Sequence, residues 1–149
     1  MKRRHFLHLA GLSAPLLGFK NLKNTGTSKP GPLVISTWAP NIKANAAAWK
    51  ILGSGGTSLD AVHHGVMVPE ADPADQSVGY GGLPDRDGRV TLDACIMDHQ
   101  ANIGAVMCLE FIKHPISVAR LVMEKTPHVQ LVGNGALMFA LENGFEKET

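Results

Sequence analysis

The run from Ser77 to Asp98, SVGYGGLPDRDGRVTLDACIMD, constrains this chain more than any other stretch. It opens with Gly79, Gly81 and Gly82 around Tyr80. Glycines cluster where backbone must approach a ligand or a second backbone more closely than a Cβ permits. A turn at Pro84–Gly88 follows, and then an alternating segment from Arg89 to Asp98. Val90, Leu92, Ala94 and Ile96 fall on one face; Thr91, Asp93, Cys95 and Met97 fall on the other. Apolar residues on both faces toward its end predict that both are covered there. A turn at His99–Asn102 and an apolar run from Ile103 to Leu109 complete a predicted hairpin.

The remaining elements read from periodicity and punctuation. Leu33–Thr37 is apolar and β-branched, which predicts a strand ending at Trp38. Ala44, Ala47, Ala48, Ile51 and Leu52 recur at helical spacing within Asn41–Gly53. Thr57 or Ser58 caps a second helix with Asp60 in its first turn and a stripe of Leu59, Val62, Val66 and Met67. Pro69 is expected to stop it, leaving Glu70–Gln76 as a polar loop. Pro115 suits the start of a third helix, with Ile116, Ala119, Val122 and Met123 facing inward and Pro127 closing it. His128–Val132 reads as a strand. Asn134 is expected to cap a last helix reaching Asn143, with Gly144 at its exit. This order predicts an α+β fold, with helices layered on a largely antiparallel sheet.

With 149 residues and a formal charge of +1, the chain suits one domain or part of one, and no strong field draws it to nucleic acid. Lys2, Arg3 and Arg4 precede a mostly apolar stretch from Phe6 to Phe19. That order fits an export signal of the twin-arginine kind, too short for a stable membrane span. Residues 1–32 are therefore read as export signal and polar linker, and 33–149 as the mature portion; the alternative is a basic amphipathic helix of the mature fold. Export implies the periplasm, where disulfides persist. Equal counting around Ala101–Asn102 sets Cys95 opposite Cys108, compatible with a bridge; two buried free thiols are the other reading.

The Ser77–Asp98 run resembles the glycosylasparaginases, whose precursors carry a similar S-V-G-[YF]-G-G-x-P-D-x-x-G-x-x-x-L-D-A-x-I-M-D segment. The likeness spans Leu33 to about Phe145 and covers the first, α-subunit part of a precursor. It implies an αββα sandwich of the N-terminal-nucleophile hydrolase type, incomplete in this chain. It implies cleavage of the amide between asparagine and N-acetylglucosamine by a threonine freed through self-cleavage in a His-Asp-Thr-Ile-Gly segment. No His-Asp-Thr occurs among these residues, so no catalytic residue is assigned to them. The implied partners are a small glycosylated asparagine, the β-subunit of the same precursor, and further copies of the αβ unit. No cofactor, metal, nucleic acid or membrane is implied for the mature form.

By the same resemblance, Trp38 and Ser77 match residues that line the substrate pocket. Trp38 departs from the family in its neighbours: Ala39-Pro40 stands where an aromatic residue commonly follows at the second position. Read from the residues alone, Trp38 is a flat pocket wall or a core side chain, and Ser77 binds substrate or caps its own turn. Gly79, Gly81 and Gly82 serve close packing more naturally than binding. Asp93 is a supporting candidate, expected to be buried and either to hold backbone donors or to orient the processing site; Asp98 reads as a solvated turn residue. Asp85-Arg86-Asp87-Gly88 echoes a calcium loop but has Ile96 at its twelfth position. The glycines do not spell a nucleotide fingerprint. His63 and His64 point apart on a helix, and Lys113, Arg120 and Lys125 read as a solvated face. Within the superfamily, an L-asparaginase or isoaspartyl peptidase is the alternative; outside it, a non-catalytic secreted binding module. Half of a sandwich exposes apolar faces, so a chain of this length is expected to aggregate or stay partly unfolded.

Overall fold

A computed structural model of the chain describes residues 31–38 and 41–148. The expected export segment falls outside them except for its last two residues, and Ala39-Pro40 falls outside as well. From Leu33 onward the elements are α1 (Ile42–Gly53), α2 (Ser58–Ala71), a 3-10 turn (Gly79–Gly81), β1 (Leu92–Met97), β2 (Ile103–Leu109), α3 (Pro115–Lys125), β3 (Gln130–Val132) and α4 (Gly133–Glu142).

Helices α1 and α2 pair through small residues. Ala44 and Ala48 of α1 are buried against α2, where Ala61 and Gly65 are buried in turn. A Cβ on Gly65 would sit 3.1 Å from the Ala44 carbonyl oxygen, so the absent side chain lets the axes approach. Thr57 and Asp60 form a capping box: the Thr57 hydroxyl accepts the Asp60 N–H at 3.1 Å, and Asp60 accepts the Thr57 N–H at 3.3 Å. Pro69 does not end α2, which continues to Ala71. Pro69 leaves the Gly65 carbonyl without its helical N–H donor, and the helix ends two residues beyond the proline.

The sheet has order β1-β2-β3, with β1 and β2 antiparallel and β2 and β3 parallel. The expected hairpin is there, but the sheet is mixed rather than largely antiparallel. β1 begins at Leu92, three residues after the expected start at Arg89. Its inner face carries Ala94 and Ile96 opposite Val106 and Gly104, under α3. Gly104 is what brings α3 so close, since a Cβ there would lie 2.0 Å from the Ala119 oxygen. The core joins Ile96, Val106, Leu109 and Ile112 to Ile116, Val118, Ala119 and Val122 of α3 and to Ala136, Leu137 and Ala140 of α4.

Four expectations fail here for traceable reasons. Leu33–Thr37 is not a strand but irregular, with a bend at Thr37; Leu33 and Ile35 are each 77 % exposed, and no strand among the described residues pairs with them. The end of β1 is covered on one face only, and Cys95 and Met97 are exposed. Cys95 pairs with Ala105 rather than Cys108, because the hairpin turns about Gln100, with Met97 opposite Ile103, and not about Ala101–Asn102; both thiols are free and exposed, neither bridged nor buried. Asn134 lies inside α4 rather than capping it, because Gly133, with φ of 53°, already turns the chain into the helix.

Candidate functional site

The glycine loop is a packed structure first. Gly79 has φ of 59°, a left-handed conformation that disfavours a side chain. A Cβ there would meet the Glu70 backbone at 2.2–2.5 Å. At Gly81 it would meet the Asp75 and Pro73 carbonyl oxygens at 2.4 and 2.7 Å. At Gly82 the nearest atoms, Gly79 O and Val90 Cγ1, stand 3.1 and 3.2 Å away. All three glycines therefore answer to neighbouring protein atoms.

Ser77 sits where this loop leaves the Asp72–Gln76 turn. Its N–H and its hydroxyl both donate to Asp75 Oδ1, at 2.9 and 2.5 Å. Those bonds, the hydroxyl's foremost, hold the Asp75 carboxyl below the usual carboxylate range. With its proton committed to Asp75, Ser77 Oγ retains lone pairs that can accept from a ligand. The turn-capping reading and an exposed polar atom therefore coexist at Ser77.

Trp38 ends the irregular segment that begins at Leu33, and the residue is 71 % exposed. Its carbonyl accepts the Asn41 N–H at 3.1 Å, which joins the segment to the start of α1. Trp38 and Ser77 line one cavity of about 720 Å³, along with Asn41 and Lys43, Val68 and Pro69 of α2, and Asp72 and Asp75. The lining combines apolar side chains with two carboxylates and one ammonium. A second, smaller cavity lies between Leu33–Ser36 and the α1–α2 pair, where Ser36 and Asn45 hydrogen-bond through their side chains.

Asp93 is not in this cavity. It is exposed on β1 and accepts the Cys108 N–H at 2.8 Å across the bulge. Cys108 has φ of 50°, so Asp93 supports a strained non-glycine residue at the end of β2. Asp98 is a turn residue that accepts the N–H groups of Gln100 and Asn102 at 2.8 and 2.9 Å. Asp85 likewise accepts from Asp87 and Arg89 within its own turn. Among the described residues, no group of three or more His, Cys, Asp or Glu is placed to hold a metal ion.

Two polar clusters escaped the sequence reading. Arg120 is not a solvated cation. It pairs with Asp60 at 2.8 Å and with Glu124 at 2.7 Å, and its guanidinium stands 3.3 Å from His63 Nδ1. The Thr57 hydroxyl, together with Arg120, holds Asp60 at a pKa of about 2. His63 Nε2 in turn lies 2.8 Å from the Ser117 hydroxyl. The second cluster is Glu70, which belongs to α2 and not to a loop, and is buried to 2 % exposure. The signal for it was present in the sequence: Glu70 lies three residues after Met67 and four after Val66, on the inward stripe of the helix.

Known proteins resemble this chain closely. The asparaginase family model matches residues 37–149. An N(4)-(β-N-acetylglucosaminyl)-L-asparaginase of Elizabethkingia miricola is 57 % identical over 98 % of this chain and 45 % of its own length. The Mus musculus protein of the same name is 51 % identical over 81 % of this chain and 35 % of its own. A probable isoaspartyl peptidase/L-asparaginase of Arabidopsis thaliana is 39 % identical over 76 % of this chain and 32 % of its own. The chain thus spans less than half the length of these relatives. A family model covering three quarters of the residues, and a relative this similar along nearly the whole chain, place it: the chain belongs to the glycosylasparaginase group of the asparaginase family.

Proposed function

We propose that this chain forms one wall of the substrate pocket in an amidohydrolase that cleaves the bond between asparagine and N-acetylglucosamine. The observation that carries the reading is the single cavity lined by both Trp38 and Ser77. The indole supplies a flat apolar surface and one N–H donor; Ser77 Oγ supplies an acceptor for an amine or amide proton. In this reading a threonine hydroxyl from a downstream segment attacks the amide carbonyl. The carbon–nitrogen bond breaks, the glycosylamine leaves, and water cleaves the resulting ester to release aspartate. That segment is the β-subunit of the same precursor. It completes an αββα sandwich by covering the outer sheet face and by pairing with the Leu33–Thr37 segment, and αβ units associate further with one another. The N-terminal basic and apolar stretch directs export to the periplasm.

The test is hydrolysis of N-acetylglucosaminyl-asparagine by the full-length gene product. Trp38→Ala and Ser77→Ala are each expected to raise KM about tenfold, the scale of one lost contact worth roughly 1.4 kcal/mol. Unchanged KM and kcat in both variants would remove these residues from the pocket. A second reading has support in the Arabidopsis thaliana relative and in Ala39-Pro40 standing where the family commonly has an aromatic. It predicts that unglycosylated asparagine or an isoaspartyl peptide is turned over faster than the glycosylated substrate, which a direct comparison of the three decides.

A further inference from the structure

Glu70 joins three elements that meet behind the cavity. Its Oε1 accepts the Ile116 N–H at 3.0 Å. That donor lies in the first turn of α3, whose N-cap residue His114 makes no side-chain capping bond of its own. A carboxyl group from α2 therefore caps α3 across the fold, satisfying a donor that would otherwise be buried without a partner. Oε2 lies 3.2 Å from His114 Nδ1. On its backbone side, Glu70 is the surface against which Gly79 rests, with no room there for a Cβ. Ser77 lies two residues before Gly79, and Val68, Pro69 and Asp72 around Glu70 line the cavity with it.

We propose that Glu70 is a positioning residue for the pocket. Anchored on α3 by its carboxyl group, it fixes the backbone that seats Gly79 and so sets where the Ser77 hydroxyl stands. This role rests on the reading of Ser77 as a substrate contact.

The protonation of the pair sharpens the proposal. Burial raises Glu70 to about 8 and lowers His114, the latter also opposed by Lys113 and favoured in its charged form by Glu148. Both burial effects favour one shared proton and no net charge, with Glu70 donating to His114 Nδ1 and still accepting from Ile116. A glutamine has the same donor and acceptor at the same reach.

The experiment is a double-mutant cycle on the full-length gene product, with N-acetylglucosaminyl-asparagine as substrate. Ser77→Ala and Glu70→Ala are each expected to raise KM about tenfold with kcat within about twofold. The double variant is expected to stay within about twofold of Ser77→Ala alone, because Glu70 acts through Ser77. Glu70→Gln is expected to keep KM within about threefold of wild type. An additive double variant, at about a hundredfold, means that Glu70 only supports the fold and overturns the proposal, as does an unchanged KM in Glu70→Ala. If Glu70→Ala does not accumulate, Glu70→Asp carries the same cycle with the same criteria. The underlying pocket reading fails separately: Ser77→Ala then leaves KM unchanged, whatever Glu70 does.

Discussion

The two faces of the three-stranded sheet carry residues of similar hydrophobicity and meet opposite surroundings. Ala94, Ile96, Val106 and Leu131 lie against α3 and α4, and Ile96 and Val106 are buried. On the other face Met97 is 60 % exposed, Ile103 42 %, Met107 41 % and Val132 54 %. Alternation along a strand thus reports that a face is apolar, not that this chain covers it. The bare face is also larger than scattered surface residues would make it, since these side chains are register neighbours across three strands. It is the face that the proposed second layer would occupy.

The largest expected effect breaks the buried side. Val106→Asp places a carboxylate where no water reaches, and in the full-length protein it is expected to cost more than about 4 kcal/mol, read as loss of a cooperative urea transition. Met107→Asp, one residue along and on the opposite face, decides whether that face is covered. With a second layer in place it is expected to cost at least about 2 kcal/mol; a change within about 0.5 kcal/mol would show the face to be solvated.

Gly104→Ala probes the same contact more gently. The added methyl meets the Ala119 oxygen and Met123 of α3, and overpacking of this kind is expected to cost about 1–3 kcal/mol. At Gly135 in α4 an added methyl would find nothing within 4 Å, and the φ there is ordinary. Gly135→Ala is therefore expected to stabilise by about 1 kcal/mol, the usual gain inside a helix. Chemical denaturation of the two variants side by side measures both, and equal signs would contradict the packing described for Gly104.

What was legible in the sequence follows the same division. The four helices and the hairpin could be read because Ala44/Ala48, Ile116/Ala119/Val122 and the β1 alternation are local patterns. The strand expected at Leu33–Thr37 could not be settled that way, since a strand needs a neighbour and none among the described residues pairs with it. The Cys95–Cys108 count failed because the chain turns about Gln100 rather than Ala101–Asn102, and a bulge beyond Cys95 sets the left-handed Cys108 against Asp93. At the candidate site, the motif pointed to Ser77 and Trp38, and the fold places them on one cavity. Glu70 and Arg120 went unread because charged residues are presumed exposed, and the partners that permit their burial lie 46 and 60 residues away, at Ile116 and Asp60. Both separations are long-range pairings that periodicity does not encode.

The smallest expected effect concerns the α2–α3 contact, which is polar where the sheet's inner face is apolar. His63 Nδ1 faces the Arg120 guanidinium, so the ring accepts there and donates from Nε2 to Ser117. Burial lowers the His63 pKa first, with Arg120 and His64 adding to it, while Asp60 and Glu124 oppose them. A histidine held below its ordinary value of 6.5 contributes stability that is intact above that pH and is lost as the pH falls through the folded value. Glu70 has the opposite sign: raised to about 8, it contributes stability that is full below about pH 4.5 and fades as the pH rises through 8. Acidification from pH 7.5 to 5.5 therefore weakens the His63 contact while it strengthens the Glu70 one. His63→Gln keeps a donor for Ser117 and cannot take up a proton, so its melting temperature is expected to fall less than the wild type's over that range. His114 shifts in the same direction as His63 and remains in both proteins, which makes the difference between the two curves, rather than either slope, the quantity that reports on His63. Parallel curves would mean that His63 takes up its proton over the same pH range folded and unfolded, so that neither burial nor Arg120 holds its ring unprotonated.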